Sequence, residues 1–370
     1  MESRRRMGKT RLQKEMKKLL FILSSLGGGG AEKNTVNILN MINSGLFDAQ
    51  LIVCGGEDNY SFLLPDSVKI HYLNKKDVKR SLLAMRGIIN REKPDIVFTS
   101  ADYVNIALTV LKPFIARKFV HIIRQQTLPS NKISKTIKSQ IIFFCCKLLY
   151  KKADWVIAQT EEMRGEIIDI FHIPSDRVVT ICNIVNKEQI EKLAQEDKTG
   201  YSTDDFNLVA VGSLYSPKGY DLLLEALSYL KKKMPNIKLH ILGNEIVEIG
   251  YKNMLEKLSV DLGVQDNVIF HGFKKNPYPY IKEANLFVLS SRKEGFPNVV
   301  LEALVLGTPV VATNCVNFEG IIDDTNGCIV EKNNASALAN GILNCVHLPG
   351  KKMTMKNFDF NRWFSEILCQ

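Results

Sequence analysis

The sequence predicts two doubly wound α/β domains, each built on a parallel sheet. Short apolar runs of strand length alternate with helical segments, and this alternation occurs twice, on either side of a polar stretch. At 370 residues the chain is also long enough for two domains. Two Rossmann-like domains joined by a linker place ligands in the cleft between them, outside the carboxyl ends of the strands.

The first alternation covers residues 1–185. Its first strand, Leu19–Ser25, follows basic residues as a signal peptide would, but a glycine run replaces the cleavage site, so a buried strand is expected. The other predicted strands are Leu51–Cys54, Val68–Leu73, Ile96–Thr99, Phe119–Ile123, Trp155–Ala158 and Val178–Ile181, and the predicted helices are 31–42, Val78–Arg91 and Val104–Ala116.

Residues 186–206 are polar and are predicted to be the linker. The second alternation covers residues 207–345, and residues 346–370 are expected to form a helical tail, for which the N-terminal domain is a candidate packing surface. The predicted strands of the second domain are Leu208–Val211, Lys238–Leu242, Val268–His271, Leu286–Leu289, 310–312 and Cys328–Val330, and the predicted helices are Tyr220–Lys232, Asn253–Leu262, 297–306 and Ser336–Cys345.

The segment Ser290–Thr313, SSRKEGFPNVVLEALVLGTPVVAT, combines a loop, a helix, a tight turn and a strand. Pro297 suits the first helical position, where its missing N–H is not needed, and Gly307 suits the end of the helix. The free N–H groups at the helix start, on Asn298 and Val299, predict a site for an anion such as phosphate.

Two carboxylates in this segment, Glu294 in the loop and Glu302 in the helix, lie eight positions apart. A carboxylate behind the phosphate site can accept hydrogen bonds from two vicinal hydroxyl groups, so ribose and sugar could be held here as well. Each glutamate alone also fits a solvated surface charge. Glu302 fits that alternative less well, because its helix is apolar nearly all round and a buried carboxylate needs partners.

A glycine run, Gly27 to Gly30, follows the first strand and precedes a helix. Glycines allow backbone N–H groups to approach a phosphate closely, so Gly28, Gly29 and Gly30 are candidate phosphate or acceptor contacts. The run lacks the G-x-G-x-x-G spacing and the Walker lysine, so a tight turn without a ligand is the alternative.

The basic charge of the chain lies in its first half. Residues 1–200 carry 32 Lys and Arg against 21 Asp and Glu, whereas the remainder carries 17 against 18. Such a surface suits phosphates, an anionic membrane or nucleic acid. Aromatic residues do not interleave with the basic stretch and no nucleic-acid motif is present, which disfavours nucleic acid. The eight cysteines include no C-x-x-C pair, so free thiols in a reducing cytoplasm are expected.

The chain resembles the retaining family 4 glycosyltransferases, which have the two-domain GT-B fold. The resemblance is carried by EGFPNVVLEALVLGTPVVAT with its two glutamates, by VGSLYSPKGYDLLLEAL, by GGGGAEK and by IFHGF. It implies that residues 1–185 bind the acceptor and residues 207–345 bind a sugar nucleotide, which is a substrate, so that no cofactor is expected. UDP is expected as the nucleotide because it is frequent in the family.

The resemblance also implies roles for individual residues. Glu302 binds the ribose hydroxyls, Glu294 contacts the donor sugar and Lys218 neutralises the diphosphate. The remaining implied donor-binding residues are Gly212, Ser213, Gly272, Phe273, Phe296, Pro297, Asn298 and Val299. No Asp-x-Asp motif is present and Asp323-Asp324 fits a solvated turn, so we expect activity without a metal ion.

One departure from the family pattern concerns the diphosphate. Ser213 stands where relatives usually have an arginine, and a neutral hydrogen bond is about half as strong as a charge-assisted one. Arg124, in HIIRQQT at the end of a predicted strand, is a candidate to supply the missing charge from the facing domain. His121, inside that strand, is expected to be a core residue.

The segment Lys132–Lys152 is basic at both ends and apolar in the middle, and no acidic residue occurs from 103 to 153. As a helix it would either pack on the sheet or lie on an anionic bilayer. On the membrane hypothesis the protein is cytoplasmic, docks on the inner face of the cell membrane and extends a polyprenyl-diphosphate-linked glycan. A sugar-nucleotide epimerase of the same fold and a catalytically weak scaffold in a glycan-assembly complex are the alternative functions.

Overall fold

A computed structural model describes residues 16–27, 29–132, 137–246, 248–354 and 357–369, with the backbone alone for 131 and 132. The strands are β1 (Lys17–Leu23), β2 (Phe47–Val53), β3 (Lys69–Tyr72), β4 (Ile96–Ser100), β5 (Val120–Arg124), β6 (Trp155–Ala158), β7 (Val178–Thr180), β8 (Phe206–Val211), β9 (Ile237–Leu242), β10 (Val268–Gly272), β11 (Leu286–Leu289), β12 (Val310–Thr313) and β13 (Gly327–Val330).

The helices alternate with these strands as the sequence predicts. They are α1 (Gly30–Met41), α2 (Val78–Glu92), α3 (Asp102–Leu111), α4 (Ile137–Leu149), α5 (Glu161–Phe171), α6 (Lys187–Leu193), α7 (Tyr220–Lys231), α8 (Tyr251–Asp261), α9 (Tyr278–Glu283), α10 (Asn298–Leu306), α11 (Ala335–Cys345) and α12 (Phe360–Ile367). Helices α5, α6 and α9 add to those predicted.

Two parallel sheets confirm the predicted fold class. Their strand orders are β3-β2-β1-β4-β5-β6-β7 and β10-β9-β8-β11-β12-β13. In the first sheet β1 lies between β2 and β4, and in the second sheet β8 lies between β9 and β11. The strand order therefore reverses at β1 and at β8. Such a reversal point leaves a crevice at the carboxyl ends of the strands. The loops that follow β1, β8 and β11 therefore border the space between the domains.

The helix predicted over 104–116 is shorter than expected. Helix α3 ends at Leu111, and Lys112–Phe114 continues as a 3₁₀ turn. Pro113 explains the difference, because proline removes a backbone donor and its ring clashes with the preceding helical turn.

The predicted linker, residues 186–206, contains a short packed helix. In α6 the side chains of Ile190 and Leu193 are buried, and the Asn186 side chain caps the helix by accepting a hydrogen bond from Gln189 N at 3.1 Å. The segment was predicted to be a linker because most of its residues are polar or charged. Two apolar side chains three positions apart are enough to anchor one helical face.

The C-terminal helix α12 crosses back to the first domain. The Phe364 ring lies 6.2 Å from Phe47 and 6.5 Å from Phe21, and Trp363 lies 5.9 Å from Trp155. Asn361 Nδ2 donates to the Met41 carbonyl at 2.8 Å. Aromatic pairs at these separations stabilise packing beyond their buried area, so the tail ties the end of the chain to the N-terminal sheet.

Helix α10 ends at Leu306 as predicted and begins at Asn298, one residue later than predicted. Gly307, which follows it, adopts φ 87°, the left-handed conformation that glycine favours at a helix end. Pro297 sits one position earlier than expected, as the residue that precedes the first helical turn. Every side chain from 300 to 306 is buried, so this helix is held on all sides and its N-terminus is fixed in position.

Candidate active site

A cleft of about 370 Å³ lies between the two sheets. The N-terminal domain contributes the glycine loop, the first turn of α1 and Tyr60. The second domain contributes the loops after β8, β9, β10 and β11 and the start of α10. Of the predicted site residues, those that line the cleft are Gly29, Gly30, Gly212, Ser213, Lys218, Phe273, Glu294, Phe296, Pro297, Asn298, Val299 and Glu302.

Lys218 and Glu294 form an ion pair in this cleft. Lys218 Nζ lies 2.7 Å from Glu294 Oε1, and the Ser291 hydroxyl donates to the same oxygen at 2.7 Å. Burial acts to lower the pKa of Lys218, but the charge of Glu294 outweighs it and the pKa is raised above its usual value. Lys218 therefore carries a proton, and the predicted sugar contact lies directly beside the predicted diphosphate contact.

The loops that carry this pair are locked together. The Ser290 hydroxyl donates to the Lys218 carbonyl at 2.9 Å, and Gly219 has φ 67°. A Cβ atom on Gly219 would lie 2.1 Å from the Ser290 carbonyl oxygen, so only glycine fits at this position. Arg292 adds two hydrogen bonds to the Asp221 carboxylate, at 2.6 and 2.8 Å. This bidentate pair holds the loop after β11 against the start of α7.

The N-terminus of α10 meets the N-terminus of α1. Asn298 Nδ2 donates to the Gly30 carbonyl at 3.0 Å. On its other side Asn183 Nδ2 donates to Asn298 Oδ1 and lies 3.4 Å from the Phe296 carbonyl. A Cβ atom on Gly295 would lie 2.0 Å from the Gln126 carbonyl. Residues of both domains therefore fix the helix end at which a phosphate is expected.

Arg124 is not among the residues that line the cleft, which corrects the expectation that it replaces the charge missing at Ser213. Its side chain is fully buried at the end of β5, where Nη2 donates to Asn183 Oδ1 at 2.7 Å and to the Ile181 carbonyl at 3.2 Å. Burial lowers its pKa to about 10. Arg124 thus supports Asn183 and, through it, the start of α10. Both faces of β5 are buried, so the sequence pattern did not reveal which face carries Arg124.

Glu302 is buried one turn into α10, as its apolar helix predicts. The Tyr278 hydroxyl lies 3.3 Å from Glu302 Oε1, and Lys33 of α1 faces it from the other domain. Burial raises the pKa of Glu302, and the Lys33 charge and the Tyr278 hydroxyl oppose that rise. The Lys33 ammonium lies 5.0 Å from the ring centres of both Tyr60 and Tyr278.

The predictions for Gly272, Gly28 and His121 have different outcomes. Gly272 is not among the residues that line the cleft; its carbonyl accepts from Gly243 N at 2.9 Å, one layer behind the lining. Gly28 lies outside the described residues. His121 is a core residue as expected, because it is fully buried, it bonds to the Thr99 hydroxyl at 3.0 Å and burial lowers its pKa to about 3.

Among the residues of the cleft region that sequence reasoning missed, four come from the first domain and from α9. Lys33, Tyr60 and Tyr278 line the cleft, and Asn183 lies just behind it. The sequence does contain a signal for Lys33, because this residue ends the GGGGAEK motif. The others lie in segments with no motif, so only their position in the fold identifies them.

Comparison with known families agrees with this architecture. The family model described as "Glycosyltransferase Family 4" matches residues 28–189, and the model described as "Glycosyl transferases group 1" matches residues 191–360. The chain is 28% identical over 341 residues to N-acetylgalactosamine-N,N'-diacetylbacillosaminyl-diphospho-undecaprenol 4-alpha-N-acetylgalactosaminyltransferase of Campylobacter jejuni, which covers 88% of this chain and 89% of that protein.

An uncharacterized glycosyltransferase of Methanocaldococcus jannaschii is 32% identical over 251 residues, which is 65% of this chain and 60% of that protein. Among solved structures, Anabaena HepE in complex with UDP and glucose superposes with a TM-score of 0.75 at 18% identity, covering 95% of this chain and 99% of the other. The two-domain fold is thus the GT-B fold. The chain belongs to the family 4 type of glycosyltransferases.

Proposed function

We propose that this protein is a retaining glycosyltransferase that moves a hexose or an N-acetylhexosamine from a UDP-sugar to a glycan acceptor in cell-surface polysaccharide assembly. The observation that carries the proposal is the Lys218–Glu294 ion pair beside the N-terminus of α10, with Glu302 one turn further along. One corner of the fold thus offers a cation, free N–H groups and two carboxylates. These groups match a diphosphate, a sugar and a ribose.

The proposed chemistry starts with the diphosphate taking the place of Glu294 beside Lys218. The released Glu294 carboxylate then accepts hydrogen bonds from the sugar, and Glu302 accepts them from the ribose. The acceptor hydroxyl oxygen bonds to the anomeric carbon on the face from which the diphosphate leaves, and the departing phosphate oxygen takes the hydroxyl proton. Lys218 and the α10 N-terminus stabilise the negative charge that develops on the leaving group.

We further propose that the reaction needs no metal ion. In this arrangement the protonated Lys218 and the helix N-terminus provide the positive charge at the diphosphate. The donor loop around Lys218 is fixed by its own hydrogen bonds, so these charges are in place before the donor binds.

A two-stage experiment tests this function. Thermal shift with a panel of UDP- and GDP-sugars first identifies the donor; a ligand at 100 times its dissociation constant stabilises the protein by about 2.7 kcal/mol. NMR of the product then reports the anomeric configuration, and retention is expected. Inversion would exclude the proposed mechanism, and conversion of the sugar without transfer would favour an epimerase. Donor binding without any transfer would favour a scaffold.

The acceptor is proposed to be lipid-linked, and α4 is proposed to bring the protein to it. Ile137, Ile141, Phe144 and Leu148 are all more than half exposed and recur at the spacing of one helical face. The opposite face of α4, where Cys146 is buried, packs against the domain, as the alternative prediction for this segment expects. Lys138, Lys147, Lys151 and Lys152 add positive charge, each contributing about 1 kcal/mol near an anionic surface. Lys135 and the Lys132 side chain lie outside the described residues.

No helix among the described residues has the length and apolar character to cross a bilayer. Cosedimentation with anionic vesicles tests surface docking: F144E should weaken binding strongly, and high salt should weaken it further. L83E is the matched control, because Leu83 is 81% exposed on α2 and lies outside the α4 face. Equal binding by both variants, or no binding by the wild type at low salt, would exclude docking by α4.

A further inference from the structure

A carboxylate and an ammonium group from different domains face each other at the inner end of the cleft. Glu302 is 6% exposed on α10 and Lys33 is 8% exposed on α1. Their helices start side by side, where Asn298 bonds to the Gly30 carbonyl at 3.0 Å. Each charged group would be costly to bury alone. They are placed so that each lowers that cost for the other, but only while the two domains are together.

The groups around Glu302 leave Lys33 as its compensating charge. The groups that act on it are the Tyr278 hydroxyl, at 3.3 Å from α9, and Lys33 from α1. Tyr60, from the segment after β2, lies near both Glu302 and Glu32. The tyrosines are neutral, since burial and the nearby carboxylates raise the pKa of each. Burial raises the pKa of Glu32 as well. Among the charged groups that act on Glu302, Lys33 is the one that favours its ionised form.

The two tyrosine rings explain how Lys33 can stay charged without an adjacent carboxylate. Its Nζ atom lies 5.0 Å from both ring centres, so it is held between two aromatic faces. Burial lowers the pKa of Lys33, and the Glu302 charge offsets only part of that change. Aromatic faces attract a cation without neutralising it, so the charge remains available to Glu302.

We propose that Lys33 is a positioning residue for nucleotide binding: from the facing domain it supplies the charge that keeps Glu302 ionised in the closed cleft. This inference rests on the proposed role of Glu302 as the acceptor of ribose hydrogen bonds. An ionised carboxylate accepts bonds from both vicinal hydroxyls, whereas a protonated one must donate with one oxygen. Lys33 therefore makes recognition of the ribose depend on closure of the two domains.

The consequence for pH has a definite sign. Lys33 favours the ionised carboxylate, so its removal lets Glu302 take up a proton at a higher pH. As the pH falls from neutral, nucleoside binding by K33M should therefore weaken at a higher pH than wild-type binding does.

The experiment measures uridine and UDP binding by calorimetry from pH 5 to 8.5 with wild type, K33M, K33R and K218M. Uridine has no phosphate, so its binding reports the ribose end alone. We expect K33M to shift the acid midpoint of uridine binding upward and K33R to restore it, because arginine keeps the charge. K218M should weaken UDP binding at every pH and leave the uridine midpoint unchanged.

Three outcomes separate the possible errors. An unchanged midpoint in K33M, or one that K33R does not restore, would overturn the role of Lys33 while leaving the proposed function intact. If the wild type binds no nucleoside diphosphate, the proposed function itself fails. In a further variant, E302Q, the side chain at position 302 cannot titrate. Adding K33M to E302Q should therefore leave the acid midpoint of uridine binding unchanged. A shifted midpoint in the double variant would show that Lys33 acts through another group. If K33M does not fold, K33Q replaces it.

Discussion

Replacement of Lys218 by methionine tests the central ion pair. Methionine retains most of the side-chain volume and removes the charge. Lys218 and Glu294 side chains are only 19% and 12% exposed, so water screens their 2.7 Å contact weakly. Loss of one preorganised group that stabilises a leaving group costs about 3 kcal/mol, or about 10²–10³-fold in kcat. We expect K218M to lose that much activity.

The assay is steady-state transfer with the donor that the thermal-shift screen identifies, together with calorimetric binding of UDP. K275M is the matched control, because Lys275 lines the same cleft but its ammonium lies 4.2 Å from the Phe62 ring centre. K218M should reduce kcat/KM far more than K275M does. A loss below about tenfold, or an equal loss in both variants, would refute the assignment of Lys218 to the diphosphate.

Four further predictions follow from the same geometry. E302A should nearly abolish transfer and weaken UDP binding, whereas E294A should mainly lower kcat; wild-type affinity for UDP in E302A would contradict the ribose assignment. S213R should tighten UDP binding by about fivefold, since it adds a charge-assisted bond at the cleft wall; calorimetry would show no change if that charge is already supplied. Transfer should persist in EDTA, and loss of activity that manganese restores would contradict it. Burial and the neighbouring His271 lower the pKa of His240 to about 4, and burial lowers that of His271. Both imidazoles are therefore neutral at pH 7 in the folded protein. Their contribution to the free energy of unfolding should be complete above about pH 6.5 and should decline as the pH falls towards 4. A denaturation midpoint that stays constant over that range would be inconsistent with this.

The sequence by itself determined most of the strands and helices, and it showed that Glu302 lies on a buried helix. Short apolar runs of strand length placed all thirteen strands of the described residues to within a few residues at each end. Gly307 and the apolar surroundings of Glu302 were read correctly because each depends on a few neighbouring residues. A helix end needs a left-handed residue, and a helix that is apolar all round is buried.

Only the tertiary structure decided which side chains share the cleft. Arg124 ends a strand with two buried faces, so its sequence could not show that it points to Asn183 rather than to the donor. Lys33 is a polar residue near a helix start, and Glu302, on which its charge acts, lies about 270 positions away in the other domain. Such contacts depend on the order of the strands and on how the two sheets face each other. Local sequence patterns do not show how the two sheets face each other, because that arrangement arises from the packing of both domains.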